Sequence, residues 1–236
     1  TNLDNRSKFE EITNLPQMVL VTKEGEDASQ YTDANFKDIE GFDTDFEAVM
    51  LDADAPFLQM FTSGTVGKSK GVSVPLAALS TFYLYMRYAI DLQETDNYWN
   101  MADPGWAYGL YYAITGPLLM GITTHFNEMG FDAQNTLDFL QRHKITNIAS
   151  SPTAFRMMKS SGVFENAADK LSLRVANSAG ETLNTEVVNW VKDNLGCDVF
   201  DQYGQTETGM TCCMHHALTH ETPTGSMGVP MPGHKL

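Results

Sequence analysis

A run of hydroxyl, glycine and lysine residues at 61–71, FTSGTVGKSKG, has the composition of a phosphate-binding loop. Backbone N–H groups left open by glycine, together with hydroxyl and ammonium groups, suit phosphate oxygens. The run is not a Walker A loop, because that motif has a glycine where this chain has Thr62. The residues alone leave two interpretations, another kind of phosphate loop or a surface loop.

Two later segments, GETLN at 180–184 and GQTETG at 204–209, are also rich in glycine, hydroxyl and carboxylate groups. Like 61–71, each follows a short run of strand-forming residues. Ligands of a parallel sheet bind beyond the carboxyl ends of its strands. We therefore expect the three segments to form a single cleft.

Short β-branched or aromatic runs alternate with amphipathic patterns along the chain. Helices are predicted at about 132–143, with Asp132 before it, and at 185–195, with Asn184 as N-cap and Gly196 ending the helix. The alternation predicts an α/β fold with a largely parallel sheet and flanking helices. The predicted strands are 18–22, 57–62, 97–103, 121–126, 146–151, 173–179 and 197–203.

Composition narrows the classes of partner. The chain has 236 residues, 42% of them hydrophobic, and a net charge of −15. Nucleic acid and anionic membranes would repel such a chain. Eleven acidic residues against one base in 24–54 predict a solvated face. The three cysteines are an odd number, which favours a reducing compartment, so we predict a cytoplasmic protein without a signal peptide.

One stretch, 104–124, carries no charged residue and is long enough to cross a bilayer. Its glycines and prolines favour a buried helix with a loop at either end instead. The cysteines and histidines between 212 and 220 are metal-capable, but their spacing fits no zinc pattern. No membrane span is therefore predicted.

Taken in order, seven motifs resemble the adenylate-forming superfamily, which includes acyl-CoA synthetases, luciferases and adenylation domains of peptide synthetases. GWAYG and YGQTETG are most similar to acetyl-CoA and medium-chain acyl-CoA synthetases. The resemblance covers residues 55–236. The motifs are FTSGTVGKSKGV, ADPGWAYG, GPLLMGITT, SPTAFRMM, SAGETLN, DQYGQTETG and GSMGVPMPG.

The resemblance implies that the first motif binds the β- and γ-phosphates of ATP, with charge from Lys68 or Lys70, and that this loop is often disordered without nucleotide. Thr206 is implied to contact the α-phosphate and Glu207 to bind Mg²⁺, which takes oxygen ligands. Together with Thr62 and Lys68, these two residues form the implied catalytic set. The implied phosphate-binding residues of the loop are Thr62, Ser63, Gly64, Thr65, Gly67 and Lys68.

For adenine, the resemblance implies Tyr203 on one side and Gly180, Glu181 and Thr182 on the other. The nucleotide-binding segment also includes Asp201 and Gln202. The implied acyl pocket consists of Trp106, Tyr108, Gly109, Ala179 and Gly204.

Trp106, Tyr108 and Tyr203 have an alternative interpretation as ordinary core aromatics. At Gly204, relatives specific for acetate have a tryptophan that closes the pocket. We therefore expect open space at this glycine, which favours a medium-chain acid over acetate.

The implied activity is ATP-dependent conversion of a short- or medium-chain carboxylic acid to an acyl-adenylate, followed by transfer to coenzyme A. Two alternatives stay open, transfer to a carrier protein and a nucleotide-binding module without turnover. Known members have residues ahead of this region and a mobile C-terminal domain after it. We therefore expect a piece of the large domain, with an acidic lead-in at 1–54 and an ATP- and acyl-binding subdomain at 55–236, inactive alone and partnered by its own C-terminal domain.

Overall fold

A computed structural model describes the chain except residues 16, 24, 32, 42–44, 46, 63–68, 222, 224 and 236, and except the side chains of 37, 39 and 40. The chain divides into two compact units, Thr1–Met50 and Leu51–Leu236. The predicted boundary between 54 and 55 stays a prediction.

The first unit contains short elements. Two two-residue strands pair in parallel, with Val19 opposite Ala34, so the predicted strand at 18–22 is present in shortened form. An ion pair between Arg6 Nε and Asp33 Oδ2, 2.7 Å apart, joins the first helix to the residue just before the second strand. The elements are α1 (Leu3–Arg6), β1 (Val19–Leu20), β2 (Ala34–Asn35) and 3₁₀ turns at Ser7–Phe9 and Phe36–Gly41.

The second unit opens with an antiparallel pair of strands, β3 (Pro56–Thr62) and β4 (Lys70–Pro75). The predicted strand at 57–62 is present, but its expected place among the parallel strands is wrong, since it pairs with β4 in a separate two-stranded sheet. The connection is too short for a parallel crossover, which needs a dozen or so residues. We missed β4, although Val72 and Val74 alternate with Gly71 and Ser73 as in a half-buried strand.

A seven-stranded sheet forms the centre of this unit, in the order β11-β10-β9-β8-β7-β5-β6. The neighbours from β6 to β9 run parallel, and β10 and β11 add antiparallel pairs at one edge. The predicted, largely parallel sheet is confirmed. Its strands are β5 (Tyr98–Asn100), β6 (Thr124–His125), β7 (Asn147–Ser150), β8 (Val175–Ala179), β9 (Val199–Gln205), β10 (Gly209–Cys213) and β11 (Val229–Pro230).

Helices cover both faces of the sheet. Neighbouring residues of β7 point to opposite faces, so that Ala149 belongs to one apolar cluster, with Tyr85 and Tyr112, and Ile148 to the other, with Val191. The helices are α2 (Ala78–Leu84, continued by a π turn at Tyr85–Ala89), α3 (Ala107–Gly109, continued by a π turn at Leu110–Thr115), α4 (Gly116–Met120), α5 (Ala133–Arg142), α6 (Pro152–Ser161) and α7 (Thr185–Leu195).

Local chemistry sets the helix ends. The side chains of Asp132 and Asn184 accept hydrogen bonds from backbone N–H groups of α5 and α7, so the predicted N-cap at Asn184 is confirmed and Asp132 caps α5 in the same way. Gly196 ends α7 with a φ of 77°, a conformation that favours glycine. Continuous helical structure from 107 to 120 fills most of the uncharged stretch. Within the described residues, no helix is long and apolar enough to cross a membrane.

Candidate functional site

A cavity of about 840 Å³ opens beyond the carboxyl ends of β5, β7 and β8. Five residues of the predicted site line it, namely Trp106, Tyr108, Ala179, Gly180 and Glu181. Because three parallel strands end side by side at this edge, lining residues as far apart in sequence as Trp106 and Glu181 lie around one cavity. The cavity therefore joins the predicted acyl pocket to part of the predicted adenine site.

The aromatic wall of the cavity comes from the start of α3. Trp106 is 73% exposed, so the alternative of ordinary core packing does not hold for this residue. Tyr108 is half-buried, and its hydroxyl lies 3.3 Å from that of Tyr85. Gly109 has a structural role, since a Cβ there would lie 2.2 Å from the carbonyl oxygen of Asp103. Glycine lets the helix start pack on that carbonyl.

The loop after β8 turns sharply at Gly180, whose φ of 94° favours glycine. Beyond the turn, both oxygens of Glu181 accept hydrogen bonds from the hydroxyl of Thr153, at 2.7 and 2.8 Å. Arg156 donates to the same carboxylate at 2.5 Å. These two contacts lower the pKa of Glu181, the hydroxyl contributing most. Glu181 is thus a carboxylate held in place at the cavity wall.

Asp201 and Gln202 have buried side chains. The carboxylate of Asp201 accepts from the backbone N–H of Leu183 at 3.2 Å, and burial raises its pKa. Gln202 donates to Asn177 at 2.8 Å. The polar side-chain atoms of both residues therefore bond within the protein interior, and nucleotide binding by this segment stays a prediction.

Next along β9, Tyr203 is 42% exposed, which excludes a core role, and it follows directly after the Ala179–Gln202 strand pair. It therefore lies beside the loop that starts at Gly180. Thr206 and Glu207 form the turn into β10, where Tyr111 donates its hydroxyl to the carbonyl of Thr206 at 3.3 Å. Glu207 is exposed and contributes, after burial, to raising the pKa of Tyr111.

Gly204 departs from expectation. It is absent from the cavity lining, and a Cβ there would lie 2.4 Å from the carbonyl oxygen of Gly209 and 2.8 Å from the Cα of Met210. The predicted open space is wrong in this conformation, because the position faces the neighbouring backbone of β10. The role of Gly204 in substrate binding stays a prediction.

Most of the predicted phosphate-binding loop, residues 63–68, lies outside the described residues. The expectation that this loop is disordered without nucleotide therefore stays a prediction. At its two ends, Thr62 pairs with the exposed Lys70 across the β3–β4 sheet. Thr182, from the adenine segment, is exposed and does not line the cavity.

Charge within the cavity is one-sided. The lining includes the carboxylates of Asp103, Glu128 and Glu181, and among the described residues that line it there is no lysine or arginine. Several apolar side chains are exposed around the opening, among them Phe126, at 49%, and Met129, at 67%. The space therefore suits the apolar and neutral parts of a ligand rather than its phosphates.

Glu207 fits the implied Mg²⁺ as a single protein ligand. It is an exposed carboxylate on a turn, and this ion is usually held by one or two carboxylates together with phosphates and waters. Across the described part of the chain, no three histidine, cysteine or acidic side chains are grouped so as to hold a metal.

Sequence reasoning missed two sets of residues, one that holds Glu181 in place at the cavity wall and one that lines the cavity. Thr153 and Arg156 were seen only as part of the SPTAFRMM motif, and their contact with Glu181 joins residues far apart in sequence. The segment 126–131 after β6 lines one side of the cavity, and it carries no motif that predicts this. A strand end in a parallel sheet was the available signal for 126–131.

Comparison with known proteins agrees with this geometry. The family model described as AMP-binding enzyme matches residues 3–236. An acyl-CoA synthetase of Brucella canis has a TM-score of 0.91 and 46% identity, covering all of this chain and 43% of its own. Acetyl-coenzyme A synthetase of Dictyostelium discoideum is 40% identical over 68% of this chain, and that of Streptomyces coelicolor is 34% identical over 93%.

The largely parallel sheet, covered on both faces and with a cavity at its carboxyl edge, matches the acyl-CoA synthetase of Brucella canis and so has the fold of adenylate-forming enzymes. This chain belongs to the AMP-binding enzyme family. It spans 25% of the Dictyostelium relative and 36% of the Streptomyces relative.

Proposed function

We propose that this chain is the ATP- and acyl-binding part of an enzyme that activates a short- or medium-chain carboxylic acid and transfers it to coenzyme A. The observation that carries the proposal is the convergence of Trp106, Tyr108, Ala179, Gly180 and Glu181 on one cavity. The names of the relatives, acetyl-CoA and acyl-CoA synthetases, support the same reaction class.

In this reaction, a carboxylate oxygen of the acid attacks the α-phosphorus of ATP and pyrophosphate leaves. The thiol of coenzyme A then attacks the acyl carbon of the mixed anhydride, and AMP leaves with the former carboxylate oxygen. Both steps depend on positioning and on stabilising charge that develops on phosphate oxygens.

The residues of this chain would divide the work by position. The acid's tail and the adenine ring would occupy the apolar cavity between Tyr108 and Gly180, with Tyr203 against the adenine. Thr62, Lys68 and Thr206 would bind the phosphates, which the carboxylates of the cavity lining repel. Mg²⁺ at Glu207 would neutralise phosphate charge.

Three further points belong to the proposal. The acceptor is coenzyme A rather than a carrier protein, because the relatives are named for it. The natural protein continues into a C-terminal domain that completes the site. Its location is cytoplasmic, as the three free cysteines favour.

Exchange of labelled pyrophosphate into ATP, measured for the natural full-length protein with a panel of straight-chain acids, tests the first half-reaction. We expect exchange that requires an acid and Mg²⁺, and acyl-CoA once coenzyme A is added. Nucleotide binding without exchange for any acid would favour the module without turnover. Exchange without acyl-CoA would favour a carrier-protein acceptor.

A further inference from the structure

A row of buried amide side chains crosses three neighbouring strands of the sheet. Asn147 on β7, Asn177 on β8 and Gln202 on β9 are each at most 2% exposed. Gln202 Nε2 donates to Asn177 Oδ1 at 2.8 Å, and Asn177 Nδ2 donates to Asn147 Oδ1 at 3.1 Å. A buried amide without a hydrogen-bond partner destabilises the fold, so the hydrogen bonds within the row fix the positions of these three side chains.

The hydrogen bond at the Asn147 end of the row determines the donor and the acceptor in every other hydrogen bond of the row. Asn147 Nδ2 lies 2.9 Å from the backbone carbonyl oxygen of Ile90, which can only accept. The Oδ1 of Asn147 must therefore face Asn177 and accept from its Nδ2. The Oδ1 of Asn177 then accepts from Nε2 of Gln202 in the same way. The Oε1 of Gln202 is left to accept from the last member of the row.

That last member is Tyr85, which is 1% exposed and donates its hydroxyl to Gln202 Oε1. Its single proton is then used, so its oxygen can only accept from the hydroxyl of Tyr108, 3.3 Å away. Burial raises the pKa of both phenols, which keeps both protonated at neutral pH. Tyr108 lies in the cavity lining.

We propose that Tyr85 and Gln202 are positioning residues that turn the hydroxyl proton of Tyr108 into the protein, so that the cavity meets only its ring and an acceptor oxygen. Such a wall favours an acid with an apolar tail over one whose tail carries a carbonyl oxygen, because two acceptors cannot pair. The inference rests on the proposed function in that it takes the cavity to hold the acyl tail.

The test compares pentanoate with its keto analogue levulinate in pyrophosphate exchange by the natural full-length protein. In Tyr85→Phe, the hydroxyl of Tyr108 loses its acceptor and becomes free to donate into the cavity. We expect the ratio of kcat/KM for pentanoate over levulinate to fall by about tenfold, the size of one hydrogen bond. In Tyr85→Phe/Tyr108→Phe, which lacks the freed donor, most of that fall should be regained.

Tyr98→Phe is the matched control, because Tyr98 is also a fully buried tyrosine, and its hydroxyl makes no hydrogen bond to a member of the row. Its ratio should equal that of the unchanged protein. Gln202→Met replaces Tyr85→Phe as the test variant if Tyr85→Phe does not fold. Without Oε1, Tyr85 donates to Tyr108, whose proton turns to the cavity, and the ratio should fall in the same way.

The outcomes separate the two hypotheses. If the unchanged protein does not exchange pyrophosphate with any of the acids tested, the proposed function fails and this proposal fails with it. If exchange occurs but the ratio is unaltered in Tyr85→Phe, the positioning role is overturned and the function stands. A fall that the double variant does not regain would indicate a general packing defect and would also overturn the proposal.

Discussion

The carboxylate of Asp201 on β9 accepts a hydrogen bond from the backbone N–H of Leu183, 3.2 Å away, and so ties the loop after β8 to the neighbouring strand. Its second oxygen accepts from the backbone N–H of Gln202 at 3.0 Å. One side chain thus satisfies two buried donors, next to the loop that presents Gly180 and Glu181 to the cavity.

We expect Asp201→Ala to destabilise the protein by about 2–4 kcal/mol, because two buried N–H groups lose their acceptor. Asp201→Asn, which keeps one acceptor oxygen, should lose less. Thermal unfolding of the natural full-length protein measures both. Equal stability of the alanine variant and the unchanged protein would show that the loop finds other acceptors.

A second prediction concerns Arg156 and the carboxylate it holds. Both side chains are over 40% exposed, so Arg156→Ala should change stability by less than about 0.5 kcal/mol. Because Glu181 lines the proposed adenine site, the KM for ATP should rise several-fold while the KM for the acid stays unchanged. Steady-state kinetics with each substrate varied in turn makes the measurement.

Lys159→Ala is the matched control for that experiment, since Lys159 lies on the same helix and pairs with Glu186, outside the cavity lining. A similar rise in the KM for ATP in both variants would argue against a specific role of Arg156.

Much of the fold follows from local sequence, and much of the site does not. The caps at Asp132 and Asn184 are chemistry within four residues, so the pattern alone finds them. The alternation in β4 was a local signal that we missed, whereas the strand β10 depends on partners that no local pattern specifies. We could predict that glycine at 204 matters, but not that its neighbour would be the backbone of β10.

The motifs GETLN and GQTETG differ in whether they line the cavity, and the direction of the strand that follows explains the difference. GETLN follows a parallel strand, and its first residues reach the cavity as expected. GQTETG instead forms the turn of an antiparallel hairpin, because the chain returns as β10. The contact between Glu181 and Arg156 spans β8 and α6, so only the assembled fold reveals it.

The pH dependence of stability should carry a contribution from His216. Burial lowers its pKa from 6.5 to about 4, and its Nε2 lies 3.0 Å from the carbonyl oxygen of Ala176. A pKa lowered by folding means that the unfolded chain takes up the proton first as the pH falls. The stabilisation by neutral His216 is therefore complete above pH 6.5 and is lost as the pH falls towards 4.

His216→Gln removes the titrating group and keeps a donor for the carbonyl of Ala176. Between pH 6.5 and 4, the unchanged protein should lose on the order of 2 kcal/mol more stability than the variant. Thermal unfolding at a series of pH values gives the comparison. Parallel curves for the two proteins would show that His216 is not the titrating group.

The last prediction decides between two interpretations of Gly204. The family resemblance implies that this glycine leaves room for a longer acyl chain, so a larger residue should lower kcat/KM for long acids and spare acetate. From the structure, a Cβ at this position meets the backbone of Gly209 and Met210 at 2.4 and 2.8 Å. Backbone cannot move aside cheaply, so even a methyl group should distort the β9–β10 hairpin.

We therefore expect Gly204→Ala to destabilise the protein by about 1–3 kcal/mol, as overpacking does, and to lower kcat/KM for acetate, butyrate and hexanoate by similar factors. Distortion of the hairpin displaces Thr206 and Glu207, which every acid would need. Gly130→Ala is the control, because a Cβ there meets nothing within 4 Å, although this glycine also lines the cavity. If Gly204→Ala keeps its thermal stability and loses activity only towards the longer acids, then Gly204 faces the acyl chain in the working enzyme, and the hairpin must open from the conformation described for it.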